Sequence, residues 1–249
     1  MRCGNADNAR TPRRAKGYMY MESYITPGKF GSAPTADNFR TLFDILNEQI
    51  IYRGRAVDVV FLGDSIFQHW DLDLWFAPDK YKVNRGIGGD MSRYMLLRSD
   101  ADVFQLHPRR AIVMAGTNDL LTTAPDLWWR QPGADEEKVI SELLSNLASL
   151  LERAAQHPET EISLCSVLPA DLCPPFDRYH FAELILRVND GIRALCERTG
   201  TRYIDFHSAL ASDDGLLIRG GITHDGVHPC GEGYAVMGRV LIEAIPELG

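Results

Sequence analysis

The chain has no apolar run approaching the ~18–20 residues that span a bilayer, so integral membrane association is not expected. It has no C-x-x-C pair. Its five cysteines, Cys3, Cys165, Cys173, Cys196 and Cys230, are odd in number and widely spaced, which argues against a disulfide framework or a zinc site. It has no excess of positive charge: at a net −8 it lacks the global attraction to phosphate that nucleic-acid binding exploits. It has no internal repeat and no low-complexity linker. What is present is a composition of 45% hydrophobic and 24% charged residues, which excludes a mostly disordered chain. A length of 249 residues suits a single α/β domain.

Residues 1–16 run against the overall charge. Arg2, Arg10, Arg13, Arg14 and Lys16 face only Asp7. No apolar stretch of the kind found in an export signal follows them. This segment reads as a disordered basic tail or an over-long start to the reading frame, and 17–249 as one domain. Cys165 and Cys196 sit in apolar-periodic segments and read as small buried hydrophobes. The economical expectation is a reduced, cytoplasmic protein; a homodimer is left open.

Five short apolar runs read as strands: 57–62, 81–84, 111–115, 162–167 and 202–206. Several are nearly continuous in apolar residues, as strands covered on both faces are. Between them lie helical patterns. Ile140, Leu143, Leu147, Leu150, Leu151 and Ala154 mark one face over 136–156. Ile185, Val188, Ile192 and Leu195 do so over 178–198, with Gly200 as a stop. Residues 37–50 and 231–244 read as further helices, and shorter ones are expected after Ser65 and Asp90. The alternation predicts a parallel five-stranded sheet between two helical layers. Ligands of such sheets sit beyond the carboxyl ends of the strands.

The unusual polar residues fall there. Strand one ends in Gly63-Asp64-Ser65-Ile66, strand two in Asn84-Arg85-Gly86-Ile87-Gly88-Gly89-Asp90, and strand three in Gly116-Thr117-Asn118-Asp119. After strand five comes His224-Asp225-Gly226-Val227-His228-Pro229. Acyl transfer needs a nucleophile, a base, a group to orient the base, and donors for an oxyanion. Ser65 supplies the first, His228 the second and Asp225 the third. The Asn118 amide and the N–H groups of Gly89 and Ser65 are the candidate donors. Asp64 is expected to support the site from behind, and Asp90 and Asp119 to act as caps or turn braces. Gly86 and Gly88 read as conformational glycines.

Together these four blocks resemble those of the SGNH hydrolase superfamily, also called GDSL esterases and lipases. The stretch 84–90, with Trp70 and Trp75 after the serine, is most similar to the branch containing the catalytic subunits of platelet-activating-factor acetylhydrolase. The resemblance implies a flavodoxin-like three-layer α/β/α fold and ester hydrolysis with no metal or other cofactor. The G-x-S-x-G elbow of α/β-hydrolases is absent, because Phe67 stands where its last glycine would be.

Other readings stand beside this one. Ser65 alone would be a helix N-cap, and His224, Asp225 and His228 are ligand types that lack a third and fourth partner cluster. The remaining histidines, including His69 and His207, read as surface or satisfied core residues. Trp128 and Trp129, in the Pro- and Gly-containing segment 120–135, could line a substrate mouth or a dimer contact, or at least one could pack in the core. The segment 169–176 could form a pocket wall. The expected activity is hydrolysis of small carboxylic esters, acetyl or short-chain, through an acyl-serine. Thioesterase or lysophospholipase-type chemistry, or a non-catalytic module on the same fold, are the alternatives.

Overall fold

The computed structural model describes residues 13–15, 18–20, 34–123, 134–172 and 177–249. Trp128, Trp129, Cys3 and Cys173 lie outside the described residues. Near the N-terminus, Arg13–Ala15 pair antiparallel with Tyr18–Tyr20.

Five parallel strands form the central sheet: β1 (Val59–Gly63), β2 (Lys82–Gly86), β3 (Arg110–Val113), β4 (Glu161–Cys165) and β5 (Arg202–Ile204). Their spatial order is β2-β1-β3-β4-β5. This is the flavodoxin-like order, in which the winding reverses between β1 and β3 and opens a crevice there.

Strand alternation sorts side chains into two cores. Val60, Leu62, Ala111, Val113 and Leu164 point into one, where α1 (Pro34–Arg53), α4 (Ser92–Asp102), α6 (Glu136–Ala154) and α7 (Arg178–Thr199) pack. Val59, Phe61, Ile112 and Cys165 point into the other. There they meet α2 (Ser65–Gln68), α3 (Leu72–Trp75), α8 (Phe206–Leu210) and α9 (Gly231–Ala244). The three-layer α/β/α sandwich follows. The apolar stripes of α6 and α7 are buried as their spacing requires, and Gly200 ends α7 at φ +69°. Trp70 is buried in the second core, stacked on Tyr234.

The differences from expectation are local. β5 stops at Ile204 because Asp205 turns the chain by accepting the Ser208 N–H, and α8 begins. The helix α5 (Thr117–Leu121), like α3 and α8, is too short to show a periodic pattern in sequence. His207 is buried, but its Nε2 has no partner among the described residues, so it is not the satisfied core histidine expected.

Candidate active site

The site starts where β1 ends. A Cβ on Gly63 would lie 2.6 Å from the Phe67 ring, so glycine is what lets Phe67 pack beneath the turn. Asp64, 1% exposed, caps α2 by accepting the Ile66 N–H at 2.9 Å. Because Asp64 takes the capping role, the Ser65 hydroxyl is free for other work. It meets His228 Nε2 at 2.8 Å. With four residues, α2 contributes little macrodipole; what it offers is the unshared N–H of Ser65.

His228 comes from the loop after α8, and most of its support is local. Asp225 Oδ1 accepts the N–H groups of Val227 (3.0 Å) and His228 (2.8 Å), while Oδ2 stands 2.6 Å from His228 Nδ1. An ionised carboxylate only accepts, so Nδ1 carries the proton and Nε2 is left to accept from Ser65. Burial by itself would raise the Asp225 carboxyl. The two N–H bonds and the imidazole outweigh it and hold the group below the usual carboxylate range. Gly226, at φ +84°, lies so close to Asp171 that a Cβ would come within 2.1 Å of its carbonyl oxygen. The Asp171 N–H donates to the Gly226 carbonyl at 2.8 Å. The described part of the segment after β4 thus anchors the histidine loop. His69 is exposed beside the base, its ring 5.4 Å from that of His228.

The glycine loop after β2 lies directly on α2. A Cβ on Gly86 would sit 2.2 Å from the Gln68 nitrogen, and one on Gly88 2.9 Å from Gln68 Oε1 and 3.7 Å from Ser65 Cβ. Gly86 is therefore required for close approach of two backbones, while Gly88 leaves room for the Gln68 side chain. The expectation that they serve backbone conformation is corrected: only Gly89 in this loop has a positive φ, +77°. Gln68 Oε1 accepts the Gly88 N–H at 2.7 Å, which ties the glycine loop to α2. Gln68 carried no signal in the sequence, since it acts on a residue 20 positions away.

Asn118 arrives from β3. Gly116, at φ +135°, turns the chain into α5. Asn118, 7% exposed, donates an amide hydrogen from Nδ2 to the Asp90 carbonyl at 3.0 Å. Asp119 reaches across to accept from both the N–H and the hydroxyl of Ser92, and so caps α4. Asp90 is not a cap. Its carboxylate is paired with Arg98 at 2.7 Å.

The serine, histidine and asparagine blocks therefore meet at one edge of the sheet. The family model for GDSL-like lipases and acylhydrolases matches residues 61–236. The chain belongs to the GDSL-like lipase/acylhydrolase family. The GDSL fold is shared with solved structures. One is a GDSL-like lipase from Bacteroides thetaiotaomicron, at 26% identity, covering 85% of this chain and 97% of that one with a TM-score of 0.66. A second, from Streptococcus pneumonia and provisionally described as a platelet activating factor, gives 24%, 84%, 92% and 0.68 for the same measures. A third, an acetylxylan esterase from Geobacillus stearothermophilus, gives 19%, 77%, 95% and 0.61. The comparison with curated proteins gives no match. As a GDSL acylhydrolase, the protein is a serine hydrolase.

Beneath the GDSL serine lie three buried carboxylates. Burial, reinforced by the charges of Asp90 and Asp119, pushes Asp64 up to about 7, against the Ile66 N–H and His228. Burial likewise raises Asp90 and Asp119. Among the described residues no group of three or more His, Cys, Asp or Glu side chains is arranged to hold a metal ion.

Proposed function

We propose that the protein is a serine esterase that hydrolyses small carboxylic esters through an acyl-serine intermediate. The observation that carries this reading is the relay from Asp225 Oδ2 through His228 to the Ser65 hydroxyl, with links of 2.6 and 2.8 Å. As the Ser65 oxygen attacks the ester carbonyl, its proton passes to His228 Nε2, and Asp225 stabilises the resulting imidazolium. The negative charge that develops on the carbonyl oxygen is received by the N–H groups of Ser65 and Gly89 and by the second amide hydrogen of Asn118. His228 then gives its proton to the departing alkoxide. A water, deprotonated by the same nitrogen, hydrolyses the acyl-serine and restores the resting state.

Acetyl and short acyl groups are the proposed cargo, on a sugar, lipid or other alcohol. The fold shared with an acetylxylan esterase supports this reading, as does the Asn84–Asp90 stretch with its resemblance to the platelet-activating-factor acetylhydrolase branch. The test pairs wild type with Ser65→Ala on nitrophenyl esters of increasing chain length. Activity is expected to peak at short chains, and Ser65→Ala to lose on the order of 10⁴-fold or more in kcat while remaining folded. Retention of a tenth of the activity by Ser65→Ala rules out this nucleophile, and a maximum at long chains rules out the small-ester reading.

A further inference from the structure

We propose that Arg98 is a positioning residue for the oxyanion hole, holding its three donors in register without touching substrate. The inference rests on the reading of Ser65, Gly89 and Asn118 given above. The Arg98 guanidinium, 2% exposed, donates from Nε to Asp90 Oδ2 at 2.8 Å and from Nη2 to the Gly63 carbonyl at 3.0 Å. From Nη1 it donates to the Arg85 carbonyl at 2.8 Å and to Asp102 Oδ2 at 2.9 Å.

Each of the first three acceptors lies on a segment that leads to a proposed donor of the hole or orients one. Gly63 is two residues before Ser65 on the turn out of β1. Asp90 follows Gly89, and its carbonyl is the group that orients the Asn118 amide. Arg85 lies on β2 where the glycine loop begins. One planar group thus ties together the ends of two strands and the loop that follows the second. Asp102 anchors it from below and is itself gripped by Arg40 at 2.8 and 2.5 Å. Burial disfavours the Asp102 charge, but Arg40 and the neighbouring guanidinium groups of Arg98 and Arg85 outweigh it and hold this carboxyl below its usual range.

Oxyanion donors act only if fixed about 2.7–3.1 Å from where the charge develops, and a misplacement of about 1 Å costs on the order of 100-fold in rate. A lysine keeps the charge of Arg98 but cannot span acceptors on both strand ends, because its donors share one nitrogen. The test is Arg98→Lys, with kcat counted per site titrated by a serine-reactive fluorophosphonate. A drop of about 10- to 100-fold in kcat is expected, with KM within about threefold. The same substitution in an Asn118→Ala background is expected to cost less than it does in wild type, because the two act through one set of donors. Wild-type kcat per titrated site in folded Arg98→Lys overturns the proposal, as does an equal loss in both backgrounds.

If Arg98→Lys does not fold, the pair Asp90→Asn/Arg98→Met removes the two charges together and leaves Asp102 paired with Arg40. It is expected to fold and to lose kcat; wild-type kcat in it overturns the proposal. Ser65→Ala separates the two readings. If that variant remains active the nucleophile is misassigned, whereas an inactive Ser65→Ala beside a fully active Arg98→Lys removes only the positioning role.

Discussion

The two halves of the site are built in opposite ways. The half proposed to receive negative charge, at the ends of β1, β2 and β3, is buried and held by long-range bonds: Asn118 to Asp90, Ser92 to Asp119, Arg98 to Gly63. The half proposed to move the proton is a surface turn. The Asp225 side chain is 53% exposed, and its bonds run two or three residues along the chain. The contrast matches the two tasks. An oxyanion hole works by having its dipoles fixed before the charge appears, so it profits from a rigid, dry setting. A base must gain and lose a proton each cycle, and nearby water lowers the cost of its imidazolium form.

Breaking the proton half is expected to have the larger effect on rate. Asp225→Asn keeps an oxygen for the Val227 and His228 N–H groups but replaces the ionised acceptor at Nδ1 with an amide that can donate. The histidine tautomer is then no longer enforced, and kcat should fall by about 10³- to 10⁴-fold with little change in thermal stability. A variant within tenfold of wild type would show that Asp225 does not orient the base.

Breaking the charge half comes next. Asn118→Ala should lower kcat by about 10²- to 10³-fold and leave KM nearly unchanged, because the donor it removes faces charge present only in the transition state. Steady-state kinetics on one short ester decides this; a loss confined to KM would assign Asn118 to ground-state binding.

The smallest expected effect sharpens the contrast in burial. Asp64 has its ordinary value near 3.8 raised to about 7 in the folded chain. Between those values the folded protein holds a proton that the unfolded chain releases, so stability falls as pH rises from about 4 to 7. A tenfold difference in proton affinity between the folded and unfolded chain is worth about 1.4 kcal/mol. Asp64→Asn stays neutral and still accepts the Ile66 N–H, so it should lose this slope. Denaturation curves at pH 4 and pH 7 test it. The stability of wild type relative to Asp64→Asn should decline by a few kcal/mol across that range, and parallel behaviour would show that the carboxyl keeps its ordinary acidity. Asp225, held low and exposed, contributes no such loss in this window.

How far the sequence could be read depended on the range of the interactions. The strands at 57–62 and 162–167 and the helix at 231–244 were legible because side-chain period reports burial on one or two faces. The Asp225-x-x-His228 turn was legible because all its bonds to Asp225 close within three residues. The roles of Gly86, Gln68 and Arg98 were not, and neither was the identity of the helix that Asp119 caps. Each depends on a partner brought close only when the sheet is assembled, among them Gly88, 20 positions from Gln68, and Gly63, 35 from Arg98.

By itself, then, the sequence determined the layered parallel sheet, the edge at which the polar blocks meet, and the residue types that meet there. Those follow from hydrophobic period and from motifs a few residues long. The tertiary structure alone decided that Asp64 and not Ser65 caps α2, that Gly86 serves close approach and Gly88 leaves room for Gln68 while Gly89 takes the positive φ, and that Asp90 pairs with Arg98. The physical reason is steric and electrostatic. A missing Cβ matters only where a backbone lies against it, and a carboxylate's role depends on which cation is buried beside it. Both are set by packing between distant segments.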